Sequence, residues 1–187
     1  MGNPVQEVYI SVDVETSGPN PGDYSLLSIG ACLVSDLERA FYIELQPLND
    51  RAEPQAMSVC DLSLTQLAEY GAVPEEAMAR FESWILRQVD PEQKPVFVGF
   101  NASFDWMFVN YYFYRFLGRN PFGHAALDIK AYYMGLKGVL WAQTSMRYLA
   151  ERYMDGQPLV HHALNDARKQ ATMFSKMLAE TGVLIQK

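Results

Sequence analysis

Residues 8–15 constrain this chain more than any other segment. Val8, Ile10, Val12 and Val14 alternate with Tyr9, Ser11, Asp13 and Glu15, which is the period of a β-strand. One face of that strand is apolar and demands a core. The other face carries two carboxylates at positions i and i+2, about 7 Å apart along the strand. Two unneutralised acids on a mostly buried face repel each other and are costly to desolvate. Either the strand is an exposed edge with solvated acids, or a hard cation lies between them. Oxygen ligands of this kind suit Mg²⁺ or Mn²⁺.

The rest of the pattern places that strand in a sheet. Turn residues Ser17, Gly18, Pro19, Asn20, Pro21 and Gly22 follow it, then a second strand over 26–34 and a third over 41–45 that Pro47 ends. The short spacings favour an antiparallel meander. Helices come next. Leu62, Leu64, Leu67 and Ala68 share a face with Gly71 as the stop, and Pro74 opens a helix lined by Met78, Phe81, Trp84 and Ile85. A buried strand is expected over 95–100 and a helix over 103–117 ending at Gly118. A fifth strand is expected over 125–129, with helical turns to about 135. Helices over 145–153 and 162–180 complete the chain, the last with Ala163, Ala167, Ala171, Phe174 and Leu178 inward. The order predicts an α/β fold in one domain spanning 1–187, a mixed sheet with helices packed on it. Ligands in such sheets collect at strand ends where the topology changes, and the end of the first strand is the natural centre.

Composition narrows the function. The net charge of −7 argues against broad electrostatic binding to duplex nucleic acid. It leaves room for an enzyme that acts on a chain end and relies on metal ions. No run of ~18 apolar residues occurs, so no membrane span is expected. Residues 1–10 show no basic segment followed by an apolar one, so no secretory leader is expected. Cys32 and Cys60 lack metal-like spacing and read as buried free thiols of a cytoplasmic protein.

Further acids and histidines stand in two other segments. Asp105 lies in the first turn of a helix just past a strand, where an acid also complements the helix dipole. Asp166 lies one turn into the last helix, where a solvated face would explain it equally well. His161 and His162 precede it by five and four residues. An imidazole at that helix mouth suits proton abstraction from water near neutral pH. Residue types alone do not choose between the two histidines.

Three motifs now stand in order: Asp13-Val14-Glu15-Thr16-Ser17-Gly18, then Asn101-Ala102-Ser103-Phe104-Asp105, then His161-His162-Ala163-Leu164-Asn165-Asp166. Across almost the whole length the chain resembles the DEDDh family of 3′→5′ exonucleases. The resemblance implies a ribonuclease H-like fold, with a mixed five-stranded sheet of three antiparallel and then two parallel strands, flanked by helices. It implies two divalent metal ions, Mg²⁺ or Mn²⁺. Asp13, Glu15 and Asp166 would hold one, while Asp13 and the scissile phosphate would hold the other, with Asp105 acting through water. In that family the histidine stands five residues before the last aspartate, which selects His161 as the general base. The implied substrate is a single-stranded nucleic-acid 3′ end, and the product a nucleoside 5′-monophosphate. Thr16 and Ser17 are expected to hold the terminal nucleotide through backbone N–H groups. Asn101 lies near the same end, and Phe104 is a candidate base-stacking group. The first motif lacks the Glu-Met-Thr-Gly form of oligoribonuclease, and ribonuclease T-like basic clusters are missing. DNA, RNA and short oligonucleotides therefore all stand as substrates.

Other readings compete. A non-catalytic or accessory module of the same fold would bind nucleic-acid ends, but it would need no complete set of acids. A two-carboxylate glycosidase would leave the remaining acids without a role. The aromatic run over 109–116 covers every face of its helix, so most of its rings pack the core and an exposed remainder is a candidate homodimer surface. Asp128, at a strand end, reads as structural.

Overall fold

A computed structural model describes residues 6–157 and 159–182; the start of the stretch read for a leader, residues 1–5, lies outside them. Five strands form one sheet: β1 (Gln6–Thr16), β2 (Leu26–Leu33), β3 (Ala40–Glu44), β4 (Gln93–Gly99) and β5 (Ala126–Asp128). Their spatial order is β3-β2-β1-β4-β5. The first three strands are antiparallel, and β4 and β5 join β1 in parallel. This is the mixed sheet expected from the element order.

The helices are α1 (Pro54–Met57), α2 (Leu64–Tyr70), α3 (Pro74–Leu86), α4 (Ala102–Leu117), α5 (Ile129–Lys137), α6 (Met146–Tyr153) and α7 (Ala163–Glu180). Pro74 stands in the first turn of α3, and Gly118 ends α4 in the left-handed conformation at φ 67°, as expected of each residue. Most element ends shift by a residue or two from the sequence reading, and two differences have a clear physical cause. The short α1 was not expected, because a single turn gives no periodicity. Ile129 belongs to α5 rather than to the fifth strand, because the Asp128 side chain accepts the N–H of Ala131 and starts the helix there.

The alternation in β1 sorts its side chains between two cores. Ile10, Val12 and Val14 face α3 and α4, packing with Phe81, Phe108, Tyr112 and Phe113. The opposite face packs Cys32, Val34 and Val98 against Phe174 and Met177 of α7, with rings of α5 and α6 beside them. At one point α7 comes unusually close to the sheet. A Cβ on Gly30 would lie 2.1 Å from Leu164 N and 2.2 Å from the Ala163 carbonyl carbon. Gly30 is the cross-strand partner of Asp13. The missing side chain thus lets the first turn of α7 settle directly beside the acidic face of β1.

Candidate active site

The parallel pairing of β1 with β4 runs from Gln6 opposite Gln93 to Ser11 opposite Val98 and stops. β1 continues to Thr16, so its last five residues leave a notch where β4 no longer accompanies it. Two helices fill that notch from opposite faces of the sheet.

From one face, α7 delivers Asp166. Carboxylate oxygens of Asp13, Glu15 and Asp166 lie within 4.8 Å of one another. Asp166 is 2% exposed and Glu15 8% exposed, while Asp13 is half-buried. Asp166 also organises the chain before its own helix. Its Oδ1 and Oδ2 accept the Val160 N–H at 2.8 and 3.0 Å, and Oδ2 accepts the His161 N–H at 2.7 Å.

The two histidines have different surroundings. His161 is exposed and sits in the left-handed region at φ 55°, a strained conformation for a residue with a side chain. His162 takes the extended N-cap position of α7, and its ring stacks on Tyr42 of β3 with centroids 4.9 Å apart. His162 therefore packs against the sheet, whereas His161 is held by its backbone alone.

From the other face, α4 delivers Asp105. It is 4% exposed, and its Oδ1 accepts the Val14 N–H at 3.1 Å, a donor that β4 would otherwise satisfy. It stands outside the three-carboxylate group, close enough for its charge to act on Asp13.

A residue that the sequence reading passed over completes the notch. Gln170 is fully buried one turn beyond Asp166. Its Nε2 donates to Asp13 Oδ1 at 2.6 Å, and its Oε1 accepts the Phe100 N–H at 2.8 Å. The backbone N–H of Phe100 can only donate, so the amide has one orientation and must present its NH₂ to Asp13. The i+4 spacing from Asp166 was the signal available in the sequence.

Burial and mutual repulsion push Asp13, Glu15 and Asp105 toward their protonated forms. Burial, then the charges of Asp105, Glu15 and Asp166, hold Asp13 well above its ordinary range, against the Gln170 hydrogen bond. Glu15 is pushed up to about 7 by burial and by Asp166. Asp105 is pushed up to about 8 by burial, even though the backbone N–H groups of Val14 and of its own residue favour its charged form. Three carboxylates converging on one point form the donor set of a hard divalent cation.

The remaining expected residues line the mouth. Thr16 Oγ1 donates to the Gly18 carbonyl, while Ser17 N–H donates to the Ser25 carbonyl and Ser17 Oγ accepts the Ser25 N–H. The Ser17 N–H expected to reach a nucleotide is thus hydrogen-bonded within the turn. Asn101 is exposed at φ 63°, and its Oδ1 accepts from Lys130 Nζ at 3.5 Å. Phe104 is half-buried with one side on Phe108, centroids 5.4 Å apart. Asp128 is structural, as expected: it caps α5 and accepts the Ala102 N–H at 2.6 Å, fixing the start of α4.

Known proteins resemble this chain in sequence and in fold. The family model described as Exonuclease matches residues 10–174. The 3′-5′ DNA exonuclease Cap18 of Escherichia coli is 48% identical over 174 residues, which are 90% of this chain and 90% of that protein. The chain belongs to this exonuclease family. Solved structures of DEDDh and other exonucleases agree in fold. The nuclease domain of 3′hExo, described as a DEDDh family member bound to rAMP, superimposes with a TM-score of 0.73 at 17% identity, covering 96% of this chain and 94% of that one. Exonuclease I of E. coli in complex with an oligonucleotide superimposes with a TM-score of 0.68 at 18% identity, over 94% of this chain and 41% of that one.

Proposed function

We propose that this exonuclease removes nucleoside 5′-monophosphates from the 3′ end of single-stranded DNA, at a two-metal site with His161 as the general base. The convergence of Asp13, Glu15 and Asp166 at the end of β1 carries the reading. The DNA exonuclease activity named for the 48% identical relative favours DNA over RNA. Asp13, Glu15 and Asp166 would hold one divalent ion, and Asp13 with Asp105 would serve a second. Ions so bound would neutralise the clustered acids, polarise the scissile phosphate and stabilise the leaving 3′ oxygen.

The protein's own groups do the rest. His161 takes a proton from the attacking water, the new P–O bond forms and the bond to the 3′ oxygen breaks. Asp166 holds the His161 backbone N–H at 2.7 Å, so the base and a metal ligand are positioned by a single carboxylate. Thr16, Asn101 and Phe104 border the terminal nucleotide, with Ser17 shaping the turn beneath it. No helix among the described residues is long and apolar enough to cross a membrane, and the free thiols Cys32 and Cys60 fit a reducing cytoplasm.

Incubation with 3′- and 5′-labelled DNA and RNA oligonucleotides in Mg²⁺, Mn²⁺ or EDTA tests the reading. Stepwise loss from the 3′ end is expected, faster on DNA, and abolished by EDTA, Asp13→Asn or Asp166→Asn. Robust cleavage in EDTA would overturn the metal mechanism, and undiminished cleavage by His161→Ala would remove the general base.

A further inference from the structure

A second feature begins where the site ends. Phe104, Met107, Tyr111 and Tyr114 stand at i, i+3, i+7 and i+10 on α4, a spacing that puts them along one face. Beyond Phe104 this stripe forms one wall of a surface groove of 640 Å³, lined by Pro21, Met107, Asn110, Tyr111, Tyr114 and Arg115. Met107 is 36% and Tyr114 44% exposed, although the rest of the helix's aromatic run is largely inward. The opposite wall, at Pro21, belongs to the segment that continues from Thr16 and Ser17. Both walls are thus extensions of the two segments that border the terminal nucleotide.

The chemistry of the groove departs from that of the whole chain. In a protein of net charge −7, its six lining residues include no acid and one arginine. Arg115 makes no ion pair among the described residues. Its guanidinium lies 5.7 Å from the Tyr111 ring centroid and 5.5 Å from that of Phe116, and it donates to Tyr111 Oη at 3.0 Å. Aromatic faces with one cation held among them suit stacked bases and a passing phosphate. From Phe104 to Tyr114 the helix advances ~15 Å, the length of roughly four stacked nucleotides at the per-strand spacing of duplex DNA.

We propose that this groove is the track for the single strand upstream of the scissile bond, and so sets a preference for substrates longer than a dinucleotide. The proposal rests on the reading of the site as a 3′-end exonuclease. Its test reads binding without turnover. In the Asp13→Asn background, 5′-fluorescein oligothymidylates of roughly twelve and roughly two nucleotides are titrated by anisotropy in Ca²⁺, with and without Tyr114→Ala plus Arg115→Ala. The double substitution should weaken the long oligonucleotide about tenfold and leave the short one unchanged. In the otherwise native enzyme it should leave turnover of a dinucleotide unaltered, and Tyr114→Phe with Arg115→Lys should restore most of the affinity. Equal affinity for the long strand with and without the substitutions would overturn the track, whatever the enzyme cleaves. So would a wild-type dimer that the same substitutions dissociate in sedimentation, since the face would then belong to a second copy. Absent cleavage alongside intact, groove-dependent binding would instead count against the catalytic reading alone.

Discussion

α7 and α4 each bring an acid in their first turn to the end of β1, but they do it by different means. α7 lies on small residues, Ala163, Ala167 and Ala171, and over the bare backbone of Gly30. Its Asp166 therefore reaches the other carboxylates directly. α4 stands off on bulky rings, Phe108, Tyr112 and Phe113, and its Asp105 stops at the Val14 backbone, outside the three-acid group. Close packing of backbone on backbone produces a ligand cluster. Aromatic packing instead leaves an acid at one remove and a ring-lined outer face.

That contrast can be broken most severely at Gly30. Gly30→Ala sets a methyl group into α7 backbone that has no rotamer to change. It should destabilise the fold by about 3 kcal/mol and lower kcat roughly a hundredfold by displacing Asp166; a melting curve and single-turnover kinetics measure the two effects. Gln170→Met keeps the volume but loses the donor to Asp13 and leaves the Phe100 N–H unpaired. We expect a ten- to hundredfold fall in activity or metal affinity, seen as a higher Mn²⁺ concentration for half-maximal rate. Unchanged metal dependence would show that Gln170 serves packing only.

A gentler perturbation is pH, applied to the metal-free protein. Glu15 and Asp105 titrate near 7 and 8 in the fold, above their unfolded values near ~4. The folded state therefore binds more protons than the unfolded state between these limits. Stability is fully present below about pH 4 as far as these groups are concerned, and it falls as pH rises toward 8. The melting temperature should drop by ~5 °C or more between pH 5 and pH 8, and divalent ions should restore it most at the alkaline end, where the ligands are deprotonated. A melting temperature that rises across this range without metal would contradict the assignment. Smallest of all, His162→Ala removes the stacking on Tyr42 and should cost about 1 kcal/mol of stability with kcat unchanged, in contrast to His161→Ala.

Much of the architecture was legible because it is periodic. The alternation in β1 predicted both its buried and its acidic face, and proline and glycine punctuation located α3 and the end of α4. The pairing of three acids around one point was legible only as motifs in order, since strand and helix are brought together by tertiary contact. Gln170 escaped notice because a glutamine on a helix reads as surface until its burial is known. Gly30 lies within the second strand, and nothing local says that a helix backbone rests on it. The Ser17–Ser25 hydrogen bonds were not legible, because the two residues meet across a turn whose hydrogen bonds no pattern encodes.

The left-handed backbone at His161 has an engineering consequence. Glycine adopts that conformation without steric penalty but adds entropy to the unfolded chain, so the two effects offset and His161→Gly should yield an inactive enzyme that melts about where the active one does. Stability screens alone would not retain the proposed base at this position. Thermostabilised variants of this fold therefore have to be chosen with turnover in the assay.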